Sequence, residues 1–205
     1  MPSAAQKGTR RLSKDDILEK TAPLFASRGY AATSMRDLAK VCGITPAALY
    51  HHFADKEQLY REVLEYTFRR RIGRMGDALK GVSGFEAKVR RVVEVLVDAV
   101  DDDELFLPML RRELLERDEK RLEYLATRVF AEPFREIMRV GRDLPPGEFR
   151  PSFLAASALA LTIGHYTLEP VRRYLMPSDT PADLRQAIID HVTKFALMGM
   201  VKEHA

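Results

Sequence analysis

The chain has 205 residues, 46% of them hydrophobic and 31% charged, with a net charge of +3 and one cysteine. That length suits one large core or a small domain joined to a larger one, while the balance of charge excludes a polycation and the lone Cys42 excludes an intrachain disulfide. The longest mostly apolar run, Phe153 to Gly164, is too short to span a bilayer and no apolar leader opens the sequence, so a cytoplasmic protein without a membrane partner is expected.

Residues 1–12 are polar, carry Lys7, Arg10 and Arg11, and lack an apolar period, which predicts a flexible basic arm. Ser13 and Asp16 form a capping box for a first helix with Ile17, Leu18, Thr21, Leu24 and Phe25 inward, and Pro23 predicts a kink in it. Met35, Leu38, Ala39 and Val41 give a second helix its apolar face, which Gly43 ends where a left-handed residue is wanted. Thr45 then caps a third helix with Pro46 at its first position. A turn this short forces a steep crossing and exposes the start of the third helix, the geometry of a helix-turn-helix. Cys42 beside the turn is either a small buried residue or a redox sensor. Asp55 and Gln58 open a long helix running to about Arg74. Residues 1–60 hold 9 Lys/Arg against 6 Asp/Glu, so the whole positive excess lies with this motif, as phosphate binding favours.

After a break at Gly81–Gly84, a helix begins with Phe85, Val89, Val92, Val93, Leu96 and Val100 on one side. A short apolar helix follows through Phe106, Met109 and Leu110, then an amphipathic stretch from Asp118 to Val140 that Pro133 should kink. A Pro/Gly loop over 143–151 precedes two further helices, Ser152–Tyr174 and Thr180 to about Val201. Both are apolar on more than one face and need cover on two sides. Pairing them with a second copy in a four-helix bundle satisfies this, with Leu154, Ala158, Leu161, Ile189, Val192 and Phe195 at the interface; a fully buried hairpin in a monomer is the alternative.

The stretch around the turn resembles the TetR family of transcriptional regulators. The resemblance rests on Phe25, Gly29-Tyr30, Thr33-Ser34, Gly43-Ile44, Leu49-Tyr50-His51-His52-Phe53 and Lys56-Glu57, and is strong over residues 13–64. It implies an all-α fold with a three-helix DNA-binding domain over 13–60 and a larger helical ligand-binding and dimerisation domain over 61–205. It also implies a homodimer on an inverted repeat of double-stranded DNA, released by a small-molecule effector. The reading is a repressor with a largely apolar effector; control by a protein partner, or no inducer, is the alternative.

The residues expected at DNA follow from the motif. Thr33 and Ser34 present hydroxyls and N–H groups to a phosphate at a helix start, and Arg36 lies close behind. Thr45, Pro46, Ala47 and Ala48 face the groove floor without an Arg, Asn or Gln for bidentate base contact, so thymine methyls and DNA shape are read instead. Tyr50, His51 and His52 are placed at phosphates by the resemblance, Lys56 at a helix start fits a phosphate or is a solvated charge, and Arg10 and Arg11 enter the minor groove or trail in solvent. Adjacent histidines diverge by about 100° on a helix and no further ligand completes a site, so no metal and no cofactor are expected. Effector contacts are sought among Met75, Phe106, Met109, Leu110, Tyr124, Phe130 and Phe134, and among polar groups on apolar faces, namely Arg128, Thr162, His165 and Tyr166. Arg111-Arg112 are either solvated or face an acidic ligand. No Gly-rich phosphate loop, nucleophile context or ligand-spaced cluster points to an enzyme.

Overall fold

The computed structural model describes residues 12–101, 104–143, 150–176 and 181–198. Among these lie eleven α-helices with one π-helical and one 3-10 turn, an all-α architecture. The chain divides into two compact units between Tyr66 and Thr67, a point inside α4.

The first unit holds α1 (Lys14–Arg28), α2 (Met35–Cys42), α3 (Pro46–Tyr50) and most of α4 (Lys56–Ile72). Ser13 and Asp16 form the expected capping box, and α1 runs on through Pro23 without interruption. Both Pro23 and Glu19, whose carbonyl loses its partner, are exposed, which leaves that carbonyl's end of the helix open to solvent. Gly43 stands at φ 69° and sends its N–H back to Ala39 and Lys40 carbonyls, closing α2 in the left-handed cap that favours glycine. Ile17, Phe25, Leu38, Leu49, Phe53, Leu59, Tyr60 and Val63 bury their side chains together. The Phe25 and Tyr60 rings lie 4.7 Å apart at its centre.

The second unit is built on α6 (Phe85–Asp101). Val89, Val92 and Leu96 pack with Met75 of α5 (Met75–Leu79), Val140, Ala158 and Ala196, while Val93 and Val97 pack with Ile188, Ile189 and Val192. These partners come from α9 (Ala131–Val140), α10 (Pro151–Leu175) and α11 (Leu184–Met198). The break between α4 and α5 falls at Gly73, where a Cβ would lie 2.6 Å from the Arg69 carbonyl oxygen.

The stretch predicted as one kinked helix is instead two. α7 (Phe106–Glu116) leads into α8 (Glu119–Tyr124), then a π-helical turn over Leu125–Val129, then α9. Pro133 cannot donate to the Val129 carbonyl, and the chain accommodates it as the third residue of a new helix, where no such bond is required. The Phe130 N–H reaches back five residues to Leu125 at 2.8 Å. The last helix is shorter than predicted, since Asp183 caps it through the Gln186 N–H at 2.9 Å; residues 177–180 and 199–205 lie outside the described set. No helix among the described residues is long and apolar enough to cross a membrane.

The corner between α7 and α8 encloses an ion cluster. Arg121 donates to fully buried Glu113 at 2.9 Å and to Glu116 at 2.6 Å, with Asp118 at 3.4 Å. Removing the cation strands a buried carboxylate, so Arg121→Ala is expected to cost about 3–5 kcal/mol, measured by urea unfolding. Loss of less than about 1 kcal/mol would mean water already reaches Glu113.

Candidate nucleic-acid interface and interior cavity

The start of α3 is the most open part of the first unit. Thr45, Pro46 and Ala47 are exposed and Ala48 half-buried, while Leu49 behind them is fully buried and anchors the helix. The Thr45 hydroxyl accepts the Ala48 N–H at 3.2 Å, which fixes the helix start and leaves methyl groups and a pyrrolidine facing outward. Tyr50 is 52% exposed, His51 is exposed and His52 is half-buried against Phe53. On α2, Arg36 and Lys40 are both exposed one turn apart, a pair of cations of which sequence reading singled out only the first.

Two expected contacts are corrected. Thr33 is 1% exposed and its hydroxyl donates to the Gly29 carbonyl at 2.7 Å, so it closes the α1–α2 turn and has no hydroxyl to offer a phosphate. Ser34 is the true cap of α2, its side chain and N–H paired with Asp37. Hydrogen bonding to Ser34 holds the Asp37 carboxyl below its usual range. Lys56 donates to the carbonyls of Tyr30 and Thr33 at 2.9 and 3.0 Å and sits over the Tyr30 ring, so its charge is committed to clipping the turn. Cys42 is buried, and burial pushes its thiol up, which fits the packing role and opposes the sensor. Arg10 and Arg11 lie outside the described residues.

The second unit holds a partly open cavity of about 240 Å³. Its wall comprises Ile72 of α4, Leu96 of α6, Phe106, Leu110 and Leu114 of α7, Phe130, Pro133, Phe134 and Ile137 at α9, and Ala155, Leu159 and Ile163 of α10. Every one is apolar. Phe106, Leu110, Phe130 and Phe134 were expected there; the others were not singled out, because an apolar side chain at a cavity has the same sequence signature as one in the core. Phe68 of α4 meets Phe106 edge-to-face and Phe130 at a tilt, with centroids at 5.0 and 5.5 Å. Its neighbour Arg69 donates to the Arg128 carbonyl at 2.8 Å.

The remaining effector expectations fall elsewhere. Met75 and Met109 are fully buried core. Thr162 is buried and satisfied by the Ala158 carbonyl at 2.9 Å. Tyr124 is half-buried and Arg128 exposed, neither on the wall. Tyr166 packs on the Val93–Val192 cluster, where burial and then the Asp101 carboxylate push its phenol upward. His165 points away from the cavity into a surface groove on α10 lined by Leu161, Gly164, Leu168, Val171 and Leu175. Its ring lies 5.3 Å from that of His191, which in turn stacks by Phe195. Burial, then His191 and Arg172, pull its pKa below the ordinary value.

Of the interface expectations, Phe195 is exposed and Leu161 half-buried on this open side. Ala158, Ile189 and Val192 are instead buried in the chain's own core, because α6 claims that face. The side chain of Leu154 lies outside the described set.

The head is thus a helix-turn-helix of the kind that presents one short helix to a groove. Residues 17–63 match the model of bacterial regulatory proteins of the tetR family. That match lies within the first unit and covers under a quarter of the chain. It is 47% identical to the HTH-type transcriptional repressor KstR2 of Mycolicibacterium smegmatis over 60 residues, which cover 29% of this chain and 28% of that one. The HTH-type transcriptional regulator UidR of Escherichia coli is 29% identical over 83 residues, 40% of this chain and 42% of the other. The chain therefore spans less than half the length of these curated relatives. In fold the match is nearly complete. PfmR of Thermus thermophilus superposes with a TM-score of 0.67 at 22% identity, covering 93% of this chain and 98% of that one. KstR2 of Mycobacterium tuberculosis, described as a ketosteroid transcriptional regulator, gives 0.65 at 21%, covering 98% and 100%. AibR in complex with isovaleryl coenzyme A and operator DNA gives 0.64 at 20%, covering 89% and 97%.

Two substitutions separate surface cations from the internal one. Arg36→Ala and Lys40→Ala are each expected to weaken binding to any duplex and to flatten the salt dependence by about 0.9 in log–log slope, read by fluorescence anisotropy. Lys56→Met is expected to lower stability by about 1–3 kcal/mol while leaving that slope unchanged. A slope change without loss of stability would return Lys56 to the phosphates.

Proposed function

We propose that the chain is a dimeric, sequence-specific transcriptional repressor that binds an inverted-repeat operator and is released by a small, largely apolar effector. The observation that carries the reading is the start of α3: Thr45, Pro46 and Ala47 stand exposed on a helix whose base, Leu49, is locked in the core. The repressor assignment draws on the KstR2 relatives, whose shared segment is this head. The effector assignment draws on the apolar cavity and on AibR, whose structure holds isovaleryl coenzyme A together with operator DNA. The head domain is assigned to residues 13–60 and the sensing and pairing domain to 61–205.

A second copy covers the exposed side of α10 and α11 in this reading. Leu168 is 61% exposed, Phe195 56% and Met198 74%, beside a groove of about 390 Å³. An effector lowers operator affinity only through better binding to the DNA-incompetent arrangement. α4 suits the coupling, since it supplies Lys56 to the head and Ile72 to the cavity wall.

Selection of bound sequences from random duplex DNA at two salt concentrations tests the reading. The expected result is an inverted repeat with half-sites about one helical turn apart, retained at the higher salt. Binding with no motif that vanishes as salt rises would reduce the protein to a generic DNA binder.

A further inference from the structure

We propose that His165 makes the open face of α10 and α11 a pH-sensitive contact, which holds a second copy while its imidazole is neutral and releases it on protonation. The inference rests on the proposed pairing through that face and adds to it a regulatory input separate from the effector cavity.

The groove on α10 is walled by Leu161, Leu168, Val171 and Leu175, and among the described residues only His165 and Arg172 bring side chains to it that can carry charge. Both charges are positive, and no carboxylate lines the groove. The ring of His191 on α11 lies 5.3 Å from that of His165 and nearly perpendicular to it, with Phe195 beyond. Lys194 is exposed about one turn further along α11. The other charged groups of these helices are placed elsewhere. On α10, Glu169 and Arg173 lie outside the groove wall. On α11, Asp190 is bonded to Arg90 of α6 at 2.9 Å and to Gln186 at 3.1 Å. On α6, Asp98 is paired with Arg185, and Asp101 acts on the Tyr166 phenol.

A proton on His165 therefore adds a cation to an apolar wall that already holds one. Burial, then His191 and Arg172, oppose that proton in a single chain. A two-fold contact sets the same wall against itself, so a second copy removes water and brings its own His165 and Arg172. The imidazole is then harder to protonate in the pair than in the free copy. By linkage, pairing is at full strength above the free copy's His165 pKa and weakens as pH falls through it. One proton per copy makes two per dimer, so the dissociation constant rises at most about 100-fold per pH unit. The response falls in the range where histidine alone among ordinary side chains changes charge.

The test is sedimentation equilibrium of the full chain in steps from about pH 8 to about pH 5.5, with far-ultraviolet circular dichroism at each step. The dimer dissociation constant is expected to stay flat near the alkaline end and to rise about tenfold or more by the acid end, while the helical signal is unchanged. His165→Gln, neutral throughout, is expected to hold its dimer across the range; should it fail to fold, His165→Asn makes the same test. His165→Lys, charged throughout, is expected to pair about tenfold or more weakly even at the alkaline end. A parent dimer equally tight at both ends overturns the proposal and leaves the pairing face standing. So does a His165→Gln variant that keeps the parent's response, or loss of the helical signal together with the dimer. A parent that is monomeric at the alkaline end overturns the pairing itself, and this inference with it.

Discussion

α10 carries more apolar surface than this chain covers, and the body of the protein is arranged around that excess. One side of the helix, through Ala155, Ala158, Leu159 and Ile163, faces the unit's own interior. The other, through Leu161, Gly164, Leu168, Val171 and Leu175, lines an open groove. Burial of apolar surface is worth about 25 cal/mol per Å², so the inner side packs with α6 and α11, while the outer side stays open and is the side the proposed function gives to a second copy. The small side chain of Ala155 leaves part of the inner side unfilled, between the rings of Phe106, Phe130 and Phe134. Core and cavity thus share one helix, α10, which packs against α6.

The head is held differently, by short-range polar closure. Gly43 permits the turn, Thr45 caps the helix it launches, and Lys56 reaches back to two carbonyls of the preceding turn. With these groups committed inward, the exposed surface of α2 and α3 that the proposed function assigns to DNA comprises Arg36, Lys40, Thr45 to Ala47, Tyr50 and His51. It is poor in bidentate hydrogen-bond donors, so under the proposed function discrimination falls to methyl contacts and duplex shape.

The helix-turn-helix was legible because its signals are local: a capping box, a glycine in the left-handed region, a proline at a helix start. Thr33 and Lys56 were assigned to phosphates because a hydroxyl and an ammonium beside a helix start look alike in sequence whether they face water or a buried carbonyl. The division of Asp118–Val140 was hidden because a proline in mid-pattern can kink a helix or begin one, and the π-helical turn that decides between them has no composition signature. Ala158, Ile189 and Val192 were read as pairing residues because both faces of their helices are apolar; which face meets α6 is settled only by packing. The cavity wall was least legible, being an absence among residues otherwise identical to core.

In the second unit, the end of α4 joins the cavity wall: Phe68 packs on two aromatic wall residues and Arg69 ties to the carbonyl of Arg128 in the π-helical turn. Under the proposed function two copies respond together on a two-fold operator, which requires a second copy to cover the open side of α10. Sedimentation equilibrium of the full chain, alongside Leu168→Glu, tests this most directly. A dimer for the parent and a folded monomer for the variant are predicted. A parent that sediments as a monomer at micromolar concentration, or a variant that remains dimeric, would contradict the partition of α10 between its own core and a second copy.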